Sequence, residues 1–374
     1  MIGEAIRRVV QGHDLTGGEM EKVMGEITGR KASSEQIASF VTALRMKGET
    51  PEEISAAARV IRQRASVIRA GDDLVSIDRE EITVERETIL NTAKGFTQGT
   101  NTFNISTAVA LVLAGGGLRI AKYGRKSVSP LCGSADVVES LGINLDLTST
   151  QLERCVRGLG ICFLYEPLVQ NGLEHIVALR RKIGLRTIFN FLDPLINPAG
   201  ASVQVLGVYN PDMTEMMAAV LRNLGIRRGL IVHGEDTLDE VSITGKTKVT
   251  EFTGSTLKSY VIRPEDVGLE RAELVDIRGG TAGENAEIIL EILNGSPGPR
   301  RDVTLLNAGA VFMAARRAES LTQGIEMARR SIDSGEALDR LKGLIELTNQ
   351  NDRYVRKTYE LETGETSQQG FQGS

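Results

Sequence analysis

Within its first 53 residues the chain carries three helix starts in succession, and then its period changes. Thr16 and Glu19 form a capping box, a hydroxyl accepting from the third helical N–H while the acid reaches back to the cap. The box precedes Met20, Val23, Met24 and Ile27, a one-face helical spacing of 0, 3, 4 and 7. Ser33 and Gln36 repeat the pattern before Ile37, Phe40, Val41 and Leu44. Thr50-Pro51-Glu52-Glu53 then opens a third helix, with proline where a missing N–H costs nothing. Three to four amphipathic helices ending near Gly71 are expected. From Asp73 onward, short aliphatic runs such as Leu118 to Ala121 and Leu230 to His233 alternate with longer helical ones such as Met213 to Leu221. That alternation predicts a mainly parallel sheet flanked by helices, an α/β unit beside a small all-helical one. A polar, basic helical stretch over Gln170 to Ile183 is placed to return to the helical unit. Glu360 to Ser374, rich in Gly, Gln, Ser and Thr, reads as a frayed tail.

The 374 residues, 41% hydrophobic and 25% charged, suffice for one large core or two packed units. The longest mainly apolar stretch, Ala108 to Ala114, falls far below the roughly 20 residues that span a bilayer. No basic-then-apolar leader opens the chain, so a cytoplasmic protein without membrane attachment is expected. Cys132, Cys155 and Cys162 lack metal-ligand spacing and cannot all pair, which predicts neither disulfide nor zinc. Forty-four basic against 49 acidic residues give a net charge of −5, the wrong sign for a nucleic-acid partner unless a local basic patch provides one.

Four segments carry residues suited to chemistry. Lys94-Gly95-Phe96-Thr97-Gln98-Gly99-Thr100-Asn101-Thr102-Phe103-Asn104-Ile105-Ser106-Thr107 leads into the helical run from Ala108. Small polar residues there put hydroxyls, an amide and backbone N–H groups at the positive end of a helix dipole, where a phosphate binds well; a simple capping role for Ser106 is the alternative. Lys122-Tyr123-Gly124-Arg125-Lys126-Ser127 follows a strand, where open α/β sheets bind ligands; a solvated basic turn is the plainer reading. Asp239 and Glu240, beyond the strand ending at His233, suit Mg²⁺ attached to a diphosphate, and Glu235 and Asp236 suit it equally on charge alone. Arg180 or Arg186 offers a guanidinium fork that matches a carboxylate. His13, His175 and His233 are scattered and read as structural.

Taken in order, these pieces resemble the anthranilate phosphoribosyltransferase family. The matching segments are Asp14-Leu15-Thr16, Gln36-Ile37-Ala38, Leu44-Arg45-Met46-Lys47-Gly48-Glu49-Thr50, Thr102-Phe103-Asn104-Ile105-Ser106-Thr107, Gly133-Ser134-Ala135-Asp136-Val137, Arg186-Thr187-Ile188-Phe189-Asn190, Asp239-Glu240-Val241-Ser242, Glu284-Asn285-Ala286 and Leu306-Asn307-Ala308-Gly309. They span almost the whole chain. The resemblance implies a nucleoside phosphorylase/phosphoribosyltransferase-like architecture. Residues 1–72, with an insertion at about 168–186, would form the helical domain. Residues 73–167 and 187–359 would form the α/β domain, and 360–374 a flexible tail. It further implies a homodimer through the helical parts and Mg²⁺-dependent transfer of phosphoribose from phosphoribosyl diphosphate to anthranilate or another aromatic acid. Carried over by position, Gly95, Gly99, Asn104, Ser106, Thr107, Lys122 and Ser134 would hold the diphosphate and ribose. Ser106, Asp239 and Glu240 would hold the metal, and Tyr123, Arg125 and Arg180 would face the acceptor.

The chain departs from the family on ligand-facing loops. Gly-Thr-Gly-Gly-Asp becomes Lys94-Gly95-Phe96-Thr97-Gln98, which places side chains where the backbone should approach the donor. Lys-His-Gly-Asn-Arg becomes Lys122-Tyr123-Gly124-Arg125-Lys126. Glu166-Pro167-Leu168-Val169-Gln170-Asn171 replaces a His-containing segment, and Gly-Pro-Leu reads Asp193-Pro194-Leu195. Losing two acceptor hydrogen bonds predicts anthranilate affinity lower by about 30-fold or more. Two other expectations stand beside the transferase. One is a non-enzymatic nucleotide or nucleic-acid binding protein using Lys94, Lys122, Arg125, Lys126, Arg180 and Arg181; the other is a nucleoside phosphorylase-like enzyme.

Overall fold

The computed structural model describes residues 1–63, 74–79, 102–124, 126, 132–165, 174–195, 203–236 and 238–363. Four helices open the chain: α1 (Ile2–Val10), α2 (Gly17–Thr28), α3 (Ser34–Lys47) and α4 (Pro51–Arg62). The boxes read at Thr16, Ser33 and Thr50 are all made, each hydroxyl taking the third N–H and each acid or amide returning to the cap. Glu53 does more than its box requires. Wholly buried, it accepts from Leu15 N at 2.9 Å, Thr50 N at 2.8 Å and Lys47 Nζ at 3.0 Å. It thereby ties the start of α4 to the end of α3 and to the loop before α2.

The rest of the chain builds a seven-stranded sheet of order β3-β2-β1-β4-β5-β6-β7. Its strands are β1 (Leu74–Arg79), β2 (Arg119–Gly124), β3 (Ile161–Tyr165), β4 (Val203–Gly207), β5 (Arg228–Gly234), β6 (Thr247–Thr253) and β7 (Thr256–Ile262). β3 through β5 pair in parallel, and β6 and β7 close one side as an antiparallel hairpin around Gly254. Side chains alternate across a strand, and here the alternation separates two cores. Val203, Val205, Leu230 and Val232 face one; Leu206, Ile231 and Phe252 face the other.

The first core is made with α5 (Ile105–Gly115), α6 (Ser134–Ser140), α7 (Ser149–Leu159), α11 (Ala282–Leu293), α12 (Pro299–Ala314), α13 (Leu321–Asp333) and α14 (Glu336–Thr363). α5 is buried on every side between the sheet and α12 and α14, which is why its sequence is apolar all round. The second core joins α1 to α4 with α8 (Glu174–Ile183), α9 (Ile188–Leu192) and α10 (Met213–Asn223). The mid-chain stretch thus returns to the N-terminal helices: Ile176 and Leu179 of α8 are buried in their core, and His175 Nε2 lies 3.0 Å from the Ile27 carbonyl. Ile188, Phe189, Phe191 and Leu192, beyond the expected limit at 186, are buried in the same core. α14 runs to Thr363, into the segment expected to fray, and residues 364–374 lie outside the described ones.

Glu215 on α10 fastens the hairpin, accepting from Lys248 Nζ at 2.9 Å, Ser259 Oγ at 2.8 Å and Thr214 Oγ1 at 2.8 Å. Burial opposes its ionised form, but these bonds prevail and hold its pKa at about 2, below the ordinary 4.5. A depressed carboxylate stabilises the fold above its unfolded pKa and loses that contribution as pH falls through the folded value. Urea midpoints measured from pH 5 to pH 2 should therefore fall less for Glu215→Gln than for the native chain; equal slopes would show that the anchor contributes nothing.

Candidate functional site

The carboxyl ends of parallel strands share one edge of the sheet, and open α/β sheets bind ligands there. α5 leads through Gly116, Gly117 and Leu118 directly into β2, so it runs against the strands and sets its N-terminus at that edge. Asn104 is its N-cap, yet makes no side-chain capping bond, and Ser106 sits inside the first turn rather than at the cap. The simple capping role for Ser106 therefore fails. Ile105 N bonds to the Phe103 carbonyl at 2.7 Å and Thr107 N to that of Asn104 at 3.0 Å. Among the described residues no acceptor takes the Ser106 N–H. The helix start is gripped from outside, since Phe103 N bonds to the Ile277 carbonyl at 3.2 Å and Thr102 bridges to Arg278.

Three buried hydroxyls, Thr107 Oγ1, Ser134 Oγ and Thr187 Oγ1, have no hydrogen-bond partner among the described residues, and the first two belong to the starts of α5 and α6. A buried donor left unmade costs about 1 to 3 kcal/mol, and such groups usually mark a missing ligand or water. Ser134 opens α6 and rests against the end of β2, where a Cβ on Gly124 would come within 2.2 Å of its Oγ. A side chain there would force the Ser134 hydroxyl to turn aside.

β2 extends to Gly124, so Lys122 and Tyr123 belong to the strand and not to a turn after it. Lys122 is 4% exposed, and its Nζ donates to the Tyr123 carbonyl at 3.0 Å. Parallel pairing of Lys122 with Phe163 carries it inside the sheet, which is why a solvated basic turn does not form. Lys126 does point to solvent, paired with Glu139 at 2.8 Å. Gly95, Gly99 and Arg125, with the whole Lys94 to Thr100 loop, lie outside the described residues.

The acidic pair follows β5 on the same edge. Asp236 is consumed by the loop itself, accepting from Ser242 Oγ at 2.5 Å, from Leu238 N at 3.1 Å and from Thr244 Oγ1. Glu235 is exposed beside Lys246. Asp239 and Glu240 come next in the loop, Glu240 only 7% exposed. Asn307 of α12 fixes them by bonding the next residue twice, accepting from Val241 N at 2.8 Å and donating to its carbonyl at 2.9 Å. From the other side the backbone of Asp239 lies on Gly207, the last residue of β4, where an added Cβ would stand 1.7 Å from the Asp239 carbonyl oxygen. The loop thus stands over β4 and β5, with β1 and β2 the next strands along the same edge.

Arg180 is half-buried on α8, on the helical side of the molecule. Arg186 stacks its guanidinium on the Tyr209 ring, 3.6 Å from the centroid, beyond the end of β4. His233, buried, places Nδ1 2.8 Å from the Val208 carbonyl, a structural bond. The sequence reading passed over Asn285 as a site residue. It links Asn104, Cys132 and Gly280, and its only sequence signal is its place in Glu284-Asn285-Ala286.

A hydroxyl-lined helix start and a loop bearing two carboxylates both stand at the carboxyl edge of an α/β sheet with a helical unit attached, an arrangement suited to a phosphorylated ligand and a hard cation. Two family models agree: a glycosyl transferase family helical bundle domain over residues 3–65 and a glycosyl transferase family a/b domain over residues 95–338. The chain is 49% identical over 348 residues to the anthranilate phosphoribosyltransferase of Pelobacter propionicus, covering 93% of this chain and 99% of that one. It is 49% identical over 350 residues to that of Geobacter sulfurreducens, covering 94% and 100%. Among solved structures, the Thermus thermophilus enzyme superposes with a TM-score of 0.83 at 35% identity over 92% of this chain and 99% of that one. The Saccharomyces cerevisiae enzyme in complex with PRPP and Mg does so at 0.82 and 25% over 93% and 98%. The chain belongs to the anthranilate phosphoribosyltransferase family and is a phosphoribosyltransferase.

Proposed function

We propose that this chain transfers the phosphoribosyl group of phosphoribosyl diphosphate to anthranilate or a closely similar aromatic acid, releasing diphosphate, at the carboxyl edge of the sheet. The observation that carries the reading is the presence of unmatched buried hydroxyls, Thr107 and Ser134, at two helix starts on the sheet edge that also carries the loop of Asp239 and Glu240. Thr107, Ser134 and the Ser106 N–H donate to the diphosphate, and Asn104 adds its carboxamide.

The residues present suit Mg²⁺. Their donors are oxygens, as a hard cation requires, and Mg²⁺ is held by one or two carboxylates completed by substrate phosphates. Among the described residues no three His, Cys, Asp or Glu side chains gather into a cage of their own. Asp239, Glu240 and Ser106 would hold the ion; when bound, it supplies charge neutralisation on the departing diphosphate. The ribosyl carbon becomes cation-like as its bond to diphosphate lengthens, so fixed donors and charges matter more than a base. Lys122 brings a buried cation to the same edge. The acceptor meets Tyr123, Arg125 and Arg180. Exposed Val10 and Met46 on the helical unit, 69% and 85% accessible, support a homodimer through that part.

Calorimetry with phosphoribosyl diphosphate and Mg²⁺, followed by a transfer assay with anthranilate, tests the reading. Heat, a thermal shift and product are expected; silence in both measurements overturns it, and release of a free base on adding phosphate to a nucleoside would replace it with phosphorolysis. Tyr123→His combined with Arg125→Asn, which restores the family residues, should lower the anthranilate KM about 30-fold through two recovered hydrogen bonds. An unchanged KM would place the acceptor elsewhere.

A further inference from the structure

Asn285, at the start of α11, is 2% exposed and stands 181 residues from Asn104 in sequence. Its carboxamide has one arrangement. Oδ1 accepts from Gly280 N at 2.8 Å, while Nδ2 donates to Asn104 Oδ1 at 2.9 Å and to Cys132 Sγ at 2.8 Å. Rotating the amide by half a turn would set Nδ2 against the Gly280 N–H and Oδ1 against the Asn104 oxygen, a clash of donors and of acceptors. Both N–H bonds and the oxygen are used, so the orientation follows from the network itself. The same logic passes to the next amide. Asn104 Oδ1 is committed to Asn285, so its Nδ2 must point the other way. Among the described residues nothing accepts from it, although Asn104 sits where the N-terminus of α5 meets the diphosphate site.

We infer that Asn285 is a positioning residue for donor binding: by holding the Asn104 oxygen, it presents the Asn104 N–H₂ to the anionic end of phosphoribosyl diphosphate. A freely rotating Asn104 would spend part of its time with a carbonyl oxygen facing a phosphate, and that repulsion is what Asn285 removes. Cys132 completes the arrangement by taking the second N–H of Asn285, which fastens the amide to the loop before α6, and by a longer Sγ–H bond of its own to Asn104 Oδ1 at 3.5 Å. The inference rests on the assignment of Asn104 to the donor site.

Asn285→Asp provides the test. It keeps an oxygen for the Gly280 N–H but offers no N–H to Asn104, whose carboxamide then turns to donate to the new carboxylate and shows its oxygen to the ligand. The KM for phosphoribosyl diphosphate should rise about 10- to 100-fold, the range of a lost charge-assisted hydrogen bond, with the acceptor KM unchanged and a smaller change in kcat. Asn104→Ala should raise the same KM, and Asn285→Asp added to Asn104→Ala should raise it no further. An equal rise in both backgrounds overturns the inference, because Asn285 would then act without Asn104. An Asn104→Ala enzyme with native KM overturns the donor-site assignment and the inference with it. If Asn285→Asp loses its native circular dichroism, Asn104→Asp replaces it, since the new carboxylate mimics the wrongly turned amide. The KM of Asn104→Asp should exceed that of Asn104→Ala about 10-fold, and equality would overturn the inference.

Discussion

Replacing Asp239→Asn and Glu240→Gln together should abolish Mg²⁺-dependent transfer, a fall of about 10³-fold or more, while the protein stays folded. Stabilising the charge on a leaving diphosphate is worth several kcal/mol when a metal does it, and about 4 kcal/mol corresponds to a thousandfold. These two carboxylates follow Asp236 in the loop after β5, and Asp236 itself is spent on Ser242, Thr244 and Leu238. Stability should change little. The loop is held through backbone groups of Val241 by Asn307 and through close packing on Gly207, and neither support involves the carboxylates. Initial rates across a Mg²⁺ titration, with a thermal unfolding curve for each protein, settle the point; retained turnover in the double variant would put the metal elsewhere.

Gly207→Ala should be nearly as damaging by a different route. The new methyl would stand 1.7 Å from the Asp239 carbonyl oxygen and 2.4 Å from its carbonyl carbon, and both are backbone atoms that cannot rotate aside. Either β4 or the acidic loop must shift by an ångström or more. Displacement of that size in a positioning element reduces turnover about 100-fold, and overpacking a tight contact destabilises by about 1 to 3 kcal/mol. Kinetics paired with urea denaturation separate the two effects. Native turnover in this variant would mean that the loop does not work in the position seen here.

What the sequence shows of this protein divides by distance along the chain. The capping boxes at Thr16, Ser33 and Thr50 are legible because donor and acceptor lie three residues apart, and all three form. The end of β2 is harder to read: the apolar run stops at Ala121, but Lys122 continues the strand with its ammonium folded back onto the Tyr123 carbonyl. The β6–β7 hairpin escapes an apolar-run search because polar residues interrupt both strands and β7 is largely exposed. Asn104, Ser106 and Thr107 announce themselves as a polar helix start, whereas Asn285 and Gly207 do not. Their meaning resides in contacts with residues 181 positions away and with a loop beyond the next strand. Only a folded chain brings those together.

β4 sends Val205 into one core and Leu206 into the other, and its next residue is the glycine beneath Asp239. The acidic loop therefore stands on the strand that both cores share, while Tyr123 lies two strands away, at the end of β2. Such a division would let a lineage exchange the side chain at the end of β2, as Tyr123 in place of the family's histidine illustrates, without disturbing the strand on which Asp239 rests.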